Sequence, residues 1–303
     1  MSFDYDIAFS RNIGLVTDEE QARLRAASVA VAGLGGVGGG HALALARLGI
    51  GRFSLADGDR FELPNMNRQA GATVSTLGRL KVDVIAEMVS AINPSAALRR
   101  FPGGIDESNV DEFLDGAVAV VDGIDFFGIR ARRLLFRRAR ALGVYAVTAG
   151  PIGFSGTLHV FSPNGMTFDE YFDLDDSMTV PEQLIQFGLG VAPKMTQRRY
   201  MPPRALDLRQ SRAPSVGSAC LLCSALVATE VANLVIRRRL PRVAPAFFQF
   251  DPLTQVYKAG RLRWGNRGPI QRLKRWWVLR HNPALRAAIA DAARREERPL
   301  TPA

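Results

Sequence analysis

Four glycines and one aspartate near the start of the chain have the types and spacing of a phosphate-binding turn. The segment from residue 28 reads Ser-Val-Ala-Val-Ala-Gly-Leu-Gly-Gly-Val-Gly-Gly-Gly and contains Gly33, Gly35, Gly36 and Gly38. Glycines let the chain turn sharply and let phosphate oxygens approach the backbone N–H groups. Asp57 follows Gly38 by 19 residues, a spacing at which a carboxylate reaches a ribose hydroxyl. The pattern predicts a nucleotide site without specifying the nucleotide.

The flanking sequence predicts the elements that position this turn. A buried strand from residue 28, a helix reaching Leu48 and a second strand at 50–57 make a β-α-β unit. The N-terminus of its helix favours an anion through unpaired N–H groups and the helix dipole. Strands and helices alternate as far as residue 149. We therefore expect an α/β fold with a Rossmann-like, doubly wound, mostly parallel sheet, which turns antiparallel in its C-terminal strands at 156–161 and 247–258.

Composition favours a soluble, cytoplasmic protein. The chain has 303 residues, is 47% hydrophobic and has only two cysteines, so we expect a large core without a disulfide framework. No signal peptide is visible, and the longest apolar run, at 219–228, is too short to span a bilayer. The formal net charge is +10, and residues 261–303 hold eleven Arg or Lys against three Asp or Glu. The basic character thus belongs to the C-terminal end.

Two segments fall outside the regular alternation. Residues 162–216 contain many prolines, an acidic cluster and a basic cluster, and are predicted to form a long functional loop. The acidic stretch at 168–173 is interpreted as solvated. Residues 263–303 are predicted to form a basic helical tail with Ile270, Leu273, Trp276 and Trp277 on one face. That face could meet an anionic membrane or a partner protein, or pack back on the domain.

Taken in order, these motifs resemble those of the ThiF/MoeB family, the bacterial relatives of ubiquitin-activating enzymes. The resemblance covers residues 9–262, an adenylation domain with a crossover loop at about 162–216. It rests on the motifs Ser10-Arg11, Gly33-Leu-Gly-Gly-Val-Gly38, Asp57-Gly-Asp59, Asn65-Met-Asn-Arg68-Gln69, Lys81 and Val121-Asp-Gly-Ile-Asp125. It implies an adenylyltransferase that uses ATP and Mg²⁺ to activate the C-terminal carboxylate of a ubiquitin-like or sulfur-carrier protein or a peptide.

The resemblance also implies roles for individual residues. The glycines and Asp57 would hold the nucleotide, and Asp59, Asn65, Arg68 and Lys81 would surround its ribose and phosphates. Asp125 would hold Mg²⁺, and Arg11 would reach the ATP of the second subunit in a homodimer. These residue types suit the reaction, because a C-terminal carboxyl has a pKa of about 3.5 and needs no general base. Positive charge around the phosphates is the main requirement.

Simpler interpretations stay open for several of these residues. Arg68, Lys81 and Arg11 could be solvated surface charges, and Asp125 could cap the following helix. Asp122 competes with Asp125 for the metal role. Structural zinc is not expected, because the chain has only the Cys220-Leu-Leu-Cys223 pair. The pair is interpreted as buried and inert, with a redox or acyl-carrying role as the alternative. With no cysteine in 162–216, a thioester or persulfide step is in doubt.

Two other functions remain as alternatives. An NAD(P)-dependent oxidoreductase could use the same fold and Asp57, but no acid/base pair for hydride transfer is apparent. A non-catalytic subunit of a paired activating enzyme could retain the fold without the reaction. No nucleic-acid partner is predicted.

Overall fold

A nine-stranded sheet runs through the centre of the molecule. The computed structural model describes residues 2–296 except 203, 204, 206, 209, 211 and 212. The strands are β1 Ser28–Ala32, β2 Arg52–Ala56, β3 Ala97–Phe101, β4 Ala119–Asp122, β5 Tyr145–Thr148, β6 Pro151–Ile152, β7 Ser155–Phe161, β8 Ala246–Asp251 and β9 Val256–Arg261. Their order is β3-β2-β1-β4-β5-β7-β8-β9, with β6 paired to β7. The first five are parallel and the rest antiparallel, as predicted.

The helices follow the predicted alternation, with shifted ends. They are α1 Tyr5–Ala8, α2 Asp18–Ala26, α3 Gly38–Arg47, α4 Lys81–Ile92, α5 Val110–Leu114, α6 Ile129–Ala141, α7 Phe168–Phe172, α8 Val180–Val191, α9 Gly217–Ile236, α10 Pro269–His281 and α11 Pro283–Glu296. Thr17 begins α2 through a capping box with Glu20. A separate 3₁₀ turn at Val74–Thr76 precedes α4.

Alternate residues of β1 face two separate cores. Val29 and Val31 pack with α3, α4 and α9 on one side of the sheet. Ala30 and Ala32 pack with α5, α6, α7 and α8 on the other. Every residue of β1 is buried, as expected for a central parallel strand with helices on both faces. The sheet is therefore a rigid support for the loops at its edge.

Helix α9 has the length and composition of a membrane-spanning segment. It contains 20 residues, its mean hydropathy is 2.0, and 56% of its most apolar window is buried inside the molecule. The helix is twice as long as the apolar run at 219–228. That run ends just before Glu230, whereas the helix continues past this residue. That carboxylate is buried and pairs with Arg239. We interpret α9 as a core helix, since it packs against α3 and β7.

The segment at 162–216 is not a long irregular loop, which corrects the prediction. It contains α7, α8 and a 3₁₀ turn at Thr196–Arg199. The interpretation of residues 168–173 as a solvated acidic stretch was also wrong. Phe168, Tyr171 and Phe172 are buried in the second core, while the Asp169 carboxylate pairs with Arg133 at 2.9 Å. The predicted basic cluster here includes Arg204, which lies outside the described residues.

The tail packs onto the domain through α8, which both α10 and α11 contact. Its four apolar residues do not share one environment. Ile270, Leu273 and Trp276 are more than half exposed, whereas Trp277 lines a cavity described below. Contact of the exposed three with a membrane or a partner stays a prediction. Residues 297–303 lie outside the part of the chain that the structure describes.

Candidate nucleotide site

The glycine turn lies where the direction of the sheet connections reverses. Strand β1 pairs with β2 on one side and β4 on the other, and Ala32 is in register with both Ala56 and Asp122. Gly33, Asp57 and Gly123 therefore follow three neighbouring strands at the same edge. In open α/β sheets the crevice at such a point binds the ligand.

Two of the predicted glycines are required by close packing. Gly33 has φ +81°, and a Cβ there would lie 2.5 Å from the Gly123 carbonyl oxygen. A Cβ at Gly38 would lie 1.7 Å from the Gly33 carbonyl oxygen. Gly35 and Gly36 have more room and face the side chains of Gln69 and Arg68. Gly38 thus packs against the backbone of the turn, whereas Gly33, Gly35 and Gly36 line the cavity.

The Asp57 carboxylate organises the turn from the second strand. Its Oδ2 accepts from the Leu34 N–H at 2.6 Å, and its Oδ1 accepts from the Asp59 N–H at 2.8 Å. Burial raises the pKa of this carboxyl. The hydrogen bond from the Leu34 N–H and the charge of Lys81 lower it, but by less. Each oxygen keeps a second lone pair. The geometry is compatible with the predicted ribose contact.

Lys81 is a buried cation at the first position of α4. Its side chain is 8% exposed, and its Nζ lies 2.8 Å from Oδ2 of Asp59. The backbone fixes the same pair, since the Lys81 N–H donates to the Asp59 carbonyl at 2.9 Å. A solvated surface lysine would be far more exposed, since lysine is rarely buried to this extent unless it is paired. Lys81 lines the same cavity as Gly33, Gly35 and Gly36, which is compatible with the predicted role at the phosphates.

The loop after β2 supplies two arginines to the cavity. Arg68 donates from Nη1 to the Pro64 carbonyl and to Oδ1 of Asn67, both at 3.0 Å. Arg60 donates to the Gly78 carbonyl at 2.8 Å. Within the described ranges these guanidinium groups donate to backbone carbonyls and to the Asn67 amide, and neither pairs with a carboxylate. Asn65 shapes this loop, because its Oδ1 accepts from the Glu62 N–H at 3.0 Å.

The two competing aspartates after β4 have different surroundings. Asp122 is buried, and its Oδ2 accepts from Arg132 Nε and from the Thr148 hydroxyl, each at 2.8 Å. Asp125 is exposed, and its Oδ1 accepts from the Phe127 N–H at 3.0 Å. Asp122 is thus structural. Asp125 caps the following turn with one oxygen, and the structure records no partner for the other in the part of the chain it describes.

Replacing Asp122 with asparagine is expected to destabilise the fold. The change leaves the Arg132 guanidinium buried without its counter-charge, since their side chains are 2% and 3% exposed. Loss of one partner from a buried pair lowers the free energy of unfolding by about 3–5 kcal/mol. Urea denaturation measures the change. The matched control is Asp111→Asn, which removes an exposed partner of Arg138 and should leave the midpoint unchanged; equal midpoints for both variants would contradict the assignment.

One cavity of about 890 Å³ collects most of the predicted site residues. Those that line it are Gly33, Gly35, Gly36, Asp57, Asp59, Asn65, Arg68, Lys81 and Asp125. Gly38 and Arg11 do not. Gly38 packs against Gly33, and Arg11 is exposed in the turn at Ser10–Asn12. A residue predicted to act in the partner subunit's site need not line its own cavity, so the role of Arg11 stays a prediction.

Sequence reasoning missed three residues of the cavity wall. Arg132 holds the loop that carries Asp125, since its Nη2 donates to the Asp125 carbonyl at 3.2 Å. Gln69 is buried beside Gly35, and its Oε1 has no partner among the described residues. Trp277 comes from the tail. Gln69 lay within a motif already singled out, and Trp277 lay on the predicted apolar face of the tail, whereas Arg132 gave no local signal.

The donor set suits magnesium better than zinc. The free oxygen of Asp125 is a hard ligand, and Mg²⁺ takes few protein carboxylates and completes its shell with phosphate and water. No cluster of three or more His, Cys, Asp or Glu side chains that could hold a metal occurs in the described ranges. Cys220 and Cys223 are free and buried, and burial raises the pKa of both thiols. Such thiols are unreactive.

The profile of the ThiF family matches residues 9–266. The chain belongs to the ThiF family. The match ends close to the boundary predicted at 262, and it confirms the family expected from the motifs. Residues beyond 266, including α10 and α11, fall outside it.

Curated proteins are similar to the chain in sequence, and a solved structure shares its fold. The chain is 35% identical over 151 residues to tRNA threonylcarbamoyladenosine dehydratase of Haemophilus influenzae, which covers 50% of the chain and 57% of that protein. It is 31% identical over 188 residues to SAMP-activating enzyme E1 of Haloferax volcanii, covering 61% and 69%. The chain thus spans about half to two thirds of these relatives. E. coli MccB with ATP has the same fold, with a TM-score of 0.62, 18% identity and coverage of 88% and 74%.

Proposed function

We propose that this protein is a ThiF-type adenylyltransferase that activates a carboxylate with ATP, releasing pyrophosphate and an acyl-adenylate. One observation carries the proposal: the glycine turn, Arg68, Lys81 and Asp125 line the same cavity at the edge of the sheet. A triphosphate needs this combination of backbone donors and cations. A dinucleotide requires only the turn and Asp57, so the added cations favour ATP over NAD(P).

The reaction requires little covalent chemistry from the protein. A carboxylate oxygen of the substrate attacks the α-phosphorus, an O–P bond forms, and the bond to the pyrophosphate oxygen breaks. Negative charge grows on the leaving pyrophosphate, where Arg68 and Lys81 stabilise it. Mg²⁺, held by Asp125 and phosphate oxygens, would supply further charge neutralisation there. No proton needs to move, because the attacking carboxyl is already ionised at neutral pH.

The acyl substrate we favour is the C-terminus of a small carrier protein or a peptide. A relative named SAMP-activating enzyme E1 supports this class. A carboxylate on RNA is the second candidate, because a relative is named for a modified tRNA nucleoside and the net charge is +10. A direct assay distinguishes these two classes of substrate. It also tests the prediction that the protein has no nucleic-acid partner.

We also propose a homodimer in which Arg11 reaches the partner's nucleotide. Exposed apolar side chains on the N-terminal arm and on the loop after β2 favour a contact there. They are Ile7 at 73% exposure, Leu15 at 77%, Leu63 at 69% and Val74 at 78%. Sedimentation equilibrium measures the mass in solution. A monomer at working concentration would exclude this part of the proposal.

Exchange of labelled pyrophosphate into ATP tests the activity. We expect exchange when a peptide with a free C-terminal carboxylate is added, and none with the same peptide amidated. Bulk tRNA as the only acceptor forms a second arm. Exchange with tRNA alone would identify a carboxylate on RNA as the substrate. Absence of exchange with every carboxylate tested would favour a non-catalytic subunit. Hydride transfer from NAD(P)H would favour the oxidoreductase.

A further inference from the structure

One part of the cavity wall is mostly apolar and is built by elements outside the nucleotide-binding half. Helix α8, the segment that follows it and the two tail helices provide this part, which we name the distal chamber. Its wall includes Ile185, Leu189, Met195, Trp277, Val278 and Leu285. Three of these, Ile185, Leu189 and Leu285, form a buried cluster. The chamber therefore has a packed wall to which the tail contributes.

Buried hydrogen bonds fix the tail on α8. Asn266, 2% exposed, donates from Nδ2 to the Gln186 carbonyl at 2.7 Å and to the Phe172 carbonyl at 3.1 Å. Gln271, 3% exposed, donates to the Leu189 carbonyl at 3.1 Å. Breaking such bonds would leave buried carbonyls unpaired, which is costly. The tail is thus a fixed wall of the cavity.

The distal chamber begins next to the predicted metal ligand. Phe126 follows Asp125 in the loop, and its ring centroid lies 5.6 Å from that of Phe187 on α8. The Arg132 guanidinium lies 4.4 Å from the same Phe187 centroid. A carboxylate that reaches an α-phosphate near Asp125 would therefore have the rest of its molecule directed toward apolar surface.

Three polar side chains occur in this mostly apolar wall, namely Gln197, Arg198 and Asn282. Gln197 is 8% exposed and lines the cavity, and its Oε1 has no partner among the described residues. A substrate amide N–H would satisfy that acceptor. Arg198 stacks on Trp277, with its Cζ 4.0 Å from the ring centroid. An apolar wall with one unsatisfied amide acceptor is suited to a peptide with an apolar side chain.

We propose that the distal chamber binds the last residues of a peptide chain that carries a bulky apolar side chain near its C-terminal carboxylate. The proposal rests on the adenylation proposed above and narrows its substrate. A cavity of about 890 Å³ is near the upper end of the range for ligand pockets, which leaves room beside a nucleotide. A Gly-Gly terminus would leave the chamber's apolar wall uncovered, whereas leucine or phenylalanine would bury it.

Pyrophosphate exchange with synthetic octapeptides tests the proposal. The peptides share one sequence and end in Gly-Gly, Gly-Leu or Gly-Phe. With the wild-type protein we expect kcat/KM to be about 10- to 100-fold higher for the apolar endings. Trp277→Ala should abolish most of that preference and leave the KM for ATP unchanged. Trp276→Ala is the matched control, since Trp276 is 59% exposed on the same helix; it should behave like wild type.

The outcomes separate this proposal from the adenylation itself. Exchange that is equal for all three endings, or equal loss of preference in both tryptophan variants, overturns the chamber's role while adenylation stands. ATP binding by calorimetry without exchange from any peptide overturns it too. Absence of both ATP binding and exchange would instead contradict the adenylation. The wild-type peptide series does not depend on how well the variants fold.

Discussion

Replacing Arg68 with alanine is expected to lower pyrophosphate exchange by about 10²- to 10³-fold, the usual cost of removing one donor that stabilises developing charge. Arg68 is the strongest candidate because its guanidinium lies beside the glycine turn; a Cβ at Gly36 would be 3.6 Å from its Nε. No carboxylate neutralises it within the described ranges. Its charge is thus available to a phosphate. The measurement is steady-state exchange with the best carboxyl substrate.

Two further variants identify the cause of that loss. Arg68→Lys keeps the charge and loses the bidentate geometry, so it should recover only part of the rate. Arg100→Ala removes an exposed arginine outside the cavity, whose Nη1 pairs with Asp83 at 2.9 Å. Wild-type exchange by Arg68→Ala, or equal loss in Arg100→Ala, would exclude a phosphate contact.

Replacing Asp125 with asparagine is expected to lower exchange by a similar 10²- to 10³-fold, because the change removes the anionic ligand proposed for Mg²⁺. Folding should be retained. An asparagine Oδ1 can still accept from the Phe127 N–H, and asparagine also caps helices well. Exchange is measured across a series of Mg²⁺ concentrations, and the variant should require more metal than the wild type.

Asp122→Asn is the matched comparison for Asp125→Asn. The two carboxylates are three residues apart, but Asp122 is paired with buried Arg132. We expect the Asp122 variant to lose stability and the Asp125 variant to lose activity. If the Asp122 variant lost activity and the Asp125 variant lost stability, Asp122 would be the metal ligand and Asp125 the structural residue. An Asp125 variant with normal exchange and normal metal dependence would remove Asp125 from the site.

The nucleotide-binding half was predictable because its signals are local. The buried pattern of 28–32, the glycines after it and Asp57 lie within one β-α-β unit, so sequence spacing determines their arrangement in space. The choice between Asp122 and Asp125 was not local. It depends on Arg132, which lies in the next helix and reaches back to Asp122 and the loop.

The wrong predictions concern long-range contacts. The acids at 168–173 suggested a solvated stretch, although Phe168, Tyr171 and Phe172 have helical spacing. The partners of Asp169 are Arg133 and Arg137, more than thirty positions earlier in the chain, and no local pattern reveals them. The tail's place in the cavity wall was hidden for the same reason. Trp276 and Trp277 are adjacent in the sequence, and the Arg198 guanidinium that stacks on Trp277 comes from a distant part of the chain.

A crystal structure with an ATP analogue and Mg²⁺ tests most directly whether this cavity binds a triphosphate. We predict phosphates on the glycine turn, with Arg68 and Lys81 within hydrogen-bonding distance of them and the metal on Asp125. A nucleotide bound elsewhere, or bound here with those three side chains directed away from its phosphates, would contradict the proposed adenylation.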